Sequence, residues 1–186
     1  MPGTSRALRK LSGILDKLSI EHMLIGGFAL AAYGQIRATQ DIDMAIAASY
    51  AQSAELESHL EKLGYQVSPK PDPAVPMFFV TDLKLMLVEM WTKPDGVVFD
   101  SELMRRRVRV NPYTDDFEMF AIGPEDFIVN KLARRDRGVQ DELDVVSVLE
   151  LQKGKLDYPY LRKRAKQANV IELLETLTLK SGMKID

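Results

Sequence analysis

The sequence contains no cysteine, and it has only two histidines and one tryptophan among its 186 residues. The lack of cysteine excludes disulfides, thiolate metal sites and a cysteine nucleophile, and it fits a reducing compartment. His22 and His59 lie far apart without metal-ligand spacing, so neither is assigned a role. No apolar run approaches the ~20 residues of a membrane-spanning helix, and the N-terminus lacks a signal-peptide pattern. We therefore expect a cytoplasmic protein that does not contact a membrane.

The chain also lacks a strong net charge, since its formal charge is −2 at neutral pH. This balance does not indicate a nucleic-acid-binding protein. The second half nevertheless contains three basic clusters, at Arg105–Arg107, Lys131–Arg137 and Arg162–Lys166. Each cluster alone is typical of a solvated helix face. If all three lined one groove, they would contact nucleic-acid phosphates, and binding would weaken steeply with salt.

The hydrophobic pattern predicts an α/β (α+β) fold, with a mixed β-sheet flanked by helices and a helical C-terminal region. We divide the chain into a core at residues 1–122 and a helical region at 123–186 that packs on it. A helix is expected to end near Leu18 and a second to cover Phe28–Tyr33 before Gly34. The expected strands are Met23–Ile25, Ile42–Ile46, Met77–Val80, Leu83–Trp91, Arg106–Val110 and Phe117–Ile122. Four further helices are expected after them, at Glu125–Arg135, Glu142–Gln152, Tyr158–Gln167 and Val170–Leu179.

Two aspartates inside an apolar run are the most informative residues. Asp41 and Asp43 are separated only by Ile42, and side chains alternate between the two faces of a strand. The two carboxylates therefore share a face, where they repel each other unless a cation lies between them or one is protonated. Carboxylate oxygens suit a hard divalent cation such as Mg²⁺. The pattern predicts a metal site at the start of this strand.

A glycine pair precedes these aspartates. Gly26 and Gly27 follow a short strand and open a short helix, which allows another backbone or a phosphate to approach closely. The pair lacks the spacing of a dinucleotide or P-loop fingerprint, and most such pairs are simple turns.

The order of these features resembles the polymerase-beta-like nucleotidyltransferase superfamily. The segments G-G-F-A-L-A-A-Y-G and R-A-T-Q-D-I-D look most similar to the nucleotidyltransferase-type toxins of abortive-infection toxin–antitoxin systems. The resemblance covers about residues 20–150. It implies that Gly26 and Gly27 contact nucleotide phosphates, with Arg37 and Thr39 also on the nucleotide side. It further implies that Asp41 and Asp43 bind Mg²⁺ or Mn²⁺.

The family pattern also implies a third carboxylate on a later strand. Glu89, in L-M-L-V-E-M-W, is the candidate, although the family usually has aspartate there. An unpaired carboxylate in an apolar strand is costly, which favours a role for it. The structural alternative is a salt bridge to an arginine such as Arg106. Asp82 is a second candidate, but it lies at an expected turn.

The segment P-E-D-F-I-V-N-K-L-A-R-R followed by Q-D-E-L-D also resembles this branch. It implies that Lys131 and Arg135 contact the triphosphate from one helix face, whereas solvent exposure is the usual fate of such residues. Asp126 is interpreted as a first-turn residue that favours the helix dipole. Asp141 and Asp144 either cap the next helix or support Lys131 and Arg135.

The resemblance implies an enzyme that moves a nucleoside monophosphate from a nucleoside triphosphate such as ATP to an acceptor hydroxyl, with Asp41, Asp43 and Glu89 as catalytic and metal-binding residues. The acceptor would be RNA or protein for a toxin-like enzyme with a cognate antitoxin, and an aminoglycoside for a drug-modifying enzyme. The three basic clusters favour a nucleic acid over a small drug as the expected acceptor. Two alternatives stay open. One is a non-catalytic nucleotide- or partner-binding module, suggested by Glu89, and the other is an α/β domain in which the D-I-D pattern is coincidental.

Overall fold

The computed structural model describes residues 2–39, 41–81, 87–111 and 117–180. Asp82 and residues 83–86 of the expected Leu83–Trp91 strand therefore lie outside the described residues. The described chain forms helices α1 (Pro2–Lys17), α2 (Gly26–Ala29), α3 (Tyr50–Lys62), α4 (Ser101–Arg106), α5 (Pro124–Ala133), α6 (Val139–Leu151), α7 (Tyr158–Gln167) and α8 (Ile171–Lys180). The strands are β1 (Glu21–Ile25), β2 (Ile42–Ala47), β3 (Gln66–Ser68), β4 (Met77–Thr81), β5 (Leu87–Trp91), β6 (Val108–Val110) and β7 (Met119–Ala121).

The strands form one mixed sheet in the order β3-β4-β5-β2-β1-β7-β6, which confirms the expected α/β class. At its centre β2 pairs antiparallel with β1 and parallel with β5. The side chains of β2 are buried at four of its six positions, as expected for a strand that is covered on both faces. Asp43 is one of the two exceptions, so the sheet places a carboxylate at its centre.

Two expected elements need correction. The helix expected at Phe28–Tyr33 begins two residues earlier as α2 and continues as a 3₁₀ turn at Leu30–Tyr33, which ends at Gly34 with φ of 93°. The strand expected at Arg106–Val110 starts only at Val108. Arg106 instead ends α4, a helix that begins because the Asp100 side chain accepts a hydrogen bond from the Leu103 N–H at 2.8 Å.

The C-terminal helices share one hydrophobic core with the sheet. This core joins strand residues such as Leu24 and Met44 to Phe127 of α5, Val148 of α6 and Leu161 of α7. Helix α5 is buried at eight of its ten positions, so it lies inside the fold. None of the helices in the described part of the chain has the length and apolar character needed to cross a bilayer.

A buried polar network fastens α7 to α5. The Tyr160 hydroxyl donates to Asp126 Oδ2 at 2.8 Å and accepts from Arg164 Nε at 2.8 Å, and Asp126 and Arg164 are each only 2 % exposed. Arg164 Nη2 also donates to Asp100 Oδ1 at 2.7 Å, ahead of α4. Asp126 therefore does more than favour the dipole of α5, because it is a member of a buried network whose groups need partners.

Replacing Tyr160 with phenylalanine is expected to destabilise the fold. The change removes one donor to Asp126 and one acceptor for Arg164 in a buried setting, which costs about 1–3 kcal/mol in the free energy of unfolding. Chemical denaturation measures this cost. Tyr50→Phe is the matched control, since Tyr50 is 57 % exposed and should lose almost nothing. Equal stability of the two variants would contradict the importance of the network.

Candidate active site

Asp43 and Glu89 face each other across the centre of the sheet. They are direct partners in the parallel register of β2 and β5, and their side chains lie on the same face. Burial first, and then the neighbouring Glu89 carboxyl, raise the pKa of Asp43 to about 7. Lys131 and Arg134 oppose this shift only in part. Burial and the neighbouring carboxyl group therefore favour the protonated form of Asp43.

Asp41 lies one residue before β2, outside the strand whose alternation predicts a face shared with Asp43. Its carbonyl oxygen accepts a hydrogen bond from Thr39 Oγ1 at 3.3 Å. Among the described residues, no group of three histidine, aspartate or glutamate side chains is gathered closely enough to hold a metal ion. The structure thus brings Asp43 and Glu89 together. Two adjacent carboxyl groups that repel each other fit a divalent cation, because the cation would relieve the repulsion that otherwise favours a proton.

The Gly26-Gly27 turn is shaped by the residues packed against it. Gly26 has φ of 61°, and an added Cβ would lie 2.0 Å from Asp43 Oδ2. A side chain there would displace the Asp43 carboxyl, so glycine is required for a reason the sequence did not reveal. A Cβ on Gly27 would lie 2.9 Å from the Cβ of Thr39, which fixes the segment leading into β2.

An open cleft with about 360 Å³ of empty volume lies in front of Asp43. Its walls come from the ends of β1 and β5, the loop after β5, and α5 with its following turn. The lining residues are Ile25, Gly26, Asp43, Trp91, Pro94, Asp95, Asn130, Lys131, Arg134 and Asp136. Glycine turn, carboxylate and lysine therefore meet in one concave site, as the order of motifs in the sequence indicates.

Lys131 is held in place by two aspartates of α6. Its Nζ donates to Asp141 Oδ1 at 2.8 Å and lies 3.1 Å from Asp144 Oδ2, and the residue is only 2 % exposed. Asp144 is fully buried and also receives two hydrogen bonds from Arg37, each at 3.1 Å. Asp141 and Asp144 therefore hold the Lys131 ammonium group in place, which is one of the two roles expected for them. Asp141 also caps α6, since its Oδ2 accepts from the Gly138 N–H at 3.0 Å.

Arg134, which the sequence analysis did not single out, lines the cleft in preference to Arg135. Arg134 pairs with Asp136 at 3.0 Å and lies 3.7 Å from Asp141. The Arg135 side chain is 91 % exposed and approaches Asp95 at 3.7 Å from the rim of the cleft. Helix α5 ends at Ala133, so the helical spacing used to place Arg135 on the face of Lys131 does not apply beyond that residue.

Trp91, to which the sequence analysis assigns no role, lines the cleft, and its Nε1 donates to Glu89 Oε2 at 3.2 Å. The signal was present in the spacing, because residues i and i+2 of a strand share a face. Arg106, the alternative partner for Glu89, is engaged elsewhere. It pairs with Asp157 at 2.5 Å and its guanidinium lies 3.8 Å from the centroid of the Tyr160 ring.

The basic clusters are largely occupied by acidic partners within the chain. In addition to the pairs of Lys131, Arg134 and Arg106, Arg107 contacts Glu21, Lys163 contacts Glu102 and Arg164 contacts Asp100. Arg162 pairs with Glu175 and Arg137 lies near Glu142. These pairs join many different elements, and they engage much of the positive charge on which the RNA hypothesis depends.

A family model described as "Nucleotidyltransferase of unknown function (DUF6036)" matches residues 4–181. No curated protein matches the sequence.

Several solved structures share the fold. The antibiotic-resistance factor ANT(2'')-Ia has a TM-score of 0.60 at 16 % identity, covering 96 % of this chain and 98 % of that one. The lincosamide antibiotic adenylyltransferase LnuA with bound lincomycin has a TM-score of 0.54 at 15 % identity, covering 78 % and 96 %. An antigenic nucleotidyltransferase-like protein from Paracoccidioides brasiliensis also scores 0.54, at 20 % identity, covering 100 % and 93 %. At these identities the likeness establishes the fold alone.

The raised pKa of Asp43 predicts how stability depends on pH without metal. Asp43 binds a proton more tightly in the folded chain than in the unfolded chain, where its pKa is near 4. Its contribution to stability is therefore full below about pH 4 and is lost as the pH rises through about 7. Asp43→Asn should remove this loss and be more stable than wild type at pH 8 in chelator. Denaturant titrations at pH 5 and pH 8 measure the difference, and Asp95→Asn, a cleft residue outside the pair, serves as control. A parallel pH response in wild type and Asp43→Asn would contradict the strained pair.

Proposed function

Because the chain belongs to the nucleotidyltransferase family DUF6036, we propose that it transfers a nucleoside monophosphate from a nucleoside triphosphate to an acceptor hydroxyl, with Mg²⁺ or Mn²⁺ as cofactor. One observation carries this proposal. The Asp43–Glu89 pair opens onto a cleft whose other walls supply a glycine turn and the buried Lys131. Such a site combines cation ligands with phosphate contacts, as nucleotidyl transfer requires.

Asp41, Asp43 and Glu89 are the proposed metal-binding residues. When bound, divalent cations neutralise charge at the α-phosphate and at the attacking and leaving oxygens. The acceptor oxygen forms a bond to the α-phosphorus while the bond to the β-phosphate bridging oxygen breaks and pyrophosphate leaves. The Asp43–Glu89 pair takes the acceptor proton, with Glu89 as the proposed receiving group.

The remaining residues are proposed to bind and orient the triphosphate. Gly26 and Gly27 offer backbone N–H groups, and Lys131 supplies a positive charge whose position is set by Asp141 and Asp144. We propose that Arg37 and Thr39 act indirectly, since Arg37 binds Asp144 and Thr39 packs on Gly27. Arg134 joins this set from inside the cleft.

Arg135 is proposed as a contact at the rim. We further propose that residues 1–122 form the catalytic core and that 123–186 complete it, because Lys131 and Arg134 come from α5 and the turn after it.

Three classes of acceptor are candidates: RNA, a small hydroxylated molecule, and the RNA or protein target of a toxin-like enzyme. The argument for RNA rested on basic clusters, and these are occupied by carboxylates of the chain. A small hydroxylated molecule gains support, since the similar fold of LnuA was solved with lincomycin bound. A toxin-like role, with a protein or RNA acceptor and a cognate antitoxin, is the third class. A non-catalytic module would bind nucleotide and form no product.

Variants of the site should separate catalysis from binding. Asp43→Asn and Glu89→Gln should lower kcat by at least about 100-fold, because each removes a group that acts on developing charge. Lys131→Ala should weaken nucleotide binding by about 10- to 100-fold, the loss of one charged hydrogen bond. Transfer of label from α-labelled nucleotides and calorimetry measure these effects. Lys163→Ala, at an exposed pair with Glu102, is the control. Full transfer by Asp43→Asn would refute the assignment.

The acceptor class is expected to be a small hydroxylated molecule. The protein is incubated with Mg²⁺, each labelled nucleoside triphosphate, and in turn total RNA, total protein and a panel of aminoglycosides and lincosamides. We expect label on a small molecule, with the Asp43→Asn variant as the blank. Asp43-dependent label on RNA or protein would instead support the toxin-like class. Nucleotide binding without any labelled product would favour the non-catalytic module.

A further inference from the structure

Glu89 has a hydrogen-bond donor on its own strand. Trp91 lies two residues further along β5, on the same face, and its Nε1 donates to Glu89 Oε2 at 3.2 Å. Both side chains are partly buried, so water competes only weakly for this hydrogen bond. The indole N–H is a donor only, and it therefore always meets Glu89 as an acceptor.

The residues of the neighbouring strands explain why Trp91, and not one of them, donates a hydrogen bond to Glu89. Across the sheet, Glu89 faces Asp43 on β2 and Phe79 on β4. Asp43 is a like charge, and Phe79 has neither a charge nor a donor. The residue opposite Trp91 on β2 is Ala45, whose methyl group leaves space for an indole ring on that face.

The Glu89 side chain is long enough that its carboxyl group needs a contact to fix its position. Glutamate has one more methylene and one more rotatable bond than aspartate, so its carboxyl group can occupy more positions. Here one side of that carboxyl is fixed by the indole N–H, and the other side meets the Asp43 carboxyl. Fixing both sides holds the longer side chain at one place on the sheet.

We propose that Trp91 is a positioning residue, whose indole N–H holds the Glu89 carboxyl against Asp43 so that the two present their oxygens together to a divalent cation and to the acceptor hydroxyl. This inference rests on the proposed function for its chemical meaning. The contact and its effect on cation binding can nevertheless be tested without any transfer reaction. Residues that orient a metal ligand typically change metal affinity by 10- to 100-fold when they are replaced.

The first test observes the contact directly. The chain contains a single tryptophan, so its ¹⁵N–¹H spectrum has one indole signal, which needs no assignment by mutation. We expect this signal to move upfield and to exchange faster with water in Glu89→Ala than in wild type. Glu118→Ala, at an exposed pair with Arg109, is the control and should leave the signal in place. An indole signal that is unchanged in Glu89→Ala would overturn the proposal.

The second test measures what the contact does. Trp91→Phe keeps an aromatic ring in the cleft and removes only the N–H donor with part of the ring. We expect its Mn²⁺ affinity, measured by calorimetry or by water-proton relaxation, to fall about 10- to 100-fold. In the transfer assay at saturating Mn²⁺, kcat should fall while KM for the nucleotide stays within about twofold. Trp91→Leu, which also lacks a donor, is the second variant, used if Trp91→Phe melts far below wild type.

A double-mutant comparison distinguishes positioning from direct contact. If Trp91 acts through Glu89, Trp91→Phe should cause almost no further loss of kcat or Mn²⁺ affinity in the Glu89→Gln background. If Trp91→Phe lowers kcat as much in the Glu89→Gln background as in wild type, or raises only the nucleotide KM, the indole contacts the nucleotide. Either result would overturn the proposal. Wild-type Mn²⁺ affinity in Trp91→Phe would do the same. If the wild-type protein labels no acceptor, the proposed function fails, while the indole signal and the Mn²⁺ affinity still decide the role of Trp91.

Discussion

Two carboxyl groups that face each other on adjacent parallel strands constrain most of the candidate site. The register of β2 with β5 places Asp43 opposite Glu89, and neither can move away without breaking the centre of the sheet. Space for the Asp43 carboxyl exists only because Gly26 has no side chain. The tryptophan hydrogen bond and the buried lysine lie around the same pair. The site is therefore organised by a repulsion that the fold enforces and that a proton or a cation relieves.

The second constraint is that buried positive charges must be paired with carboxylates. A buried lysine is costly unless it is paired, and Lys131 is paired twice, with Asp141 and Asp144. Asp144 in turn binds Arg37 from the segment ahead of β2. One buried aspartate thus connects the helix that carries Lys131 to the chain segment that packs on the glycine turn. Elsewhere arginines join helices to each other, as Arg164 does with Asp100 and Asp126. Many basic residues of the second half are thus engaged by carboxylates of the chain itself.

Local pattern was sufficient to predict the mixed sheet, the order of its main strands along the chain and the long C-terminal helices. The bounds of α7 follow from a Pro159 in its first turn and an Asp157 cap, both local signals. The short α4 was missed, because it depends on the Asp100 cap and on the contact of that residue with Arg164, 64 positions away. Alternation on a strand indicated that Asp41 and Asp43 share a face, but only the pairing of β2 with β5 shows which of them meets Glu89. Trp91 and Arg134 were missed because their roles depend on which elements enclose the cleft.

The charge balance of the cleft gives the cation a further role under the proposed function. Asp43, Asp95 and Asp136 line the cleft, and Glu89 meets Asp43 from the next strand. The positive charges there are already engaged, Lys131 by two aspartates and Arg134 by Asp136. A nucleoside triphosphate brings several more negative charges into this setting, where low dielectric strengthens repulsion. Under the proposed function, binding of the nucleotide would therefore depend on divalent cations that neutralise the carboxylate pair, so that the ions that enable the chemistry would also make the cleft able to accept its substrate.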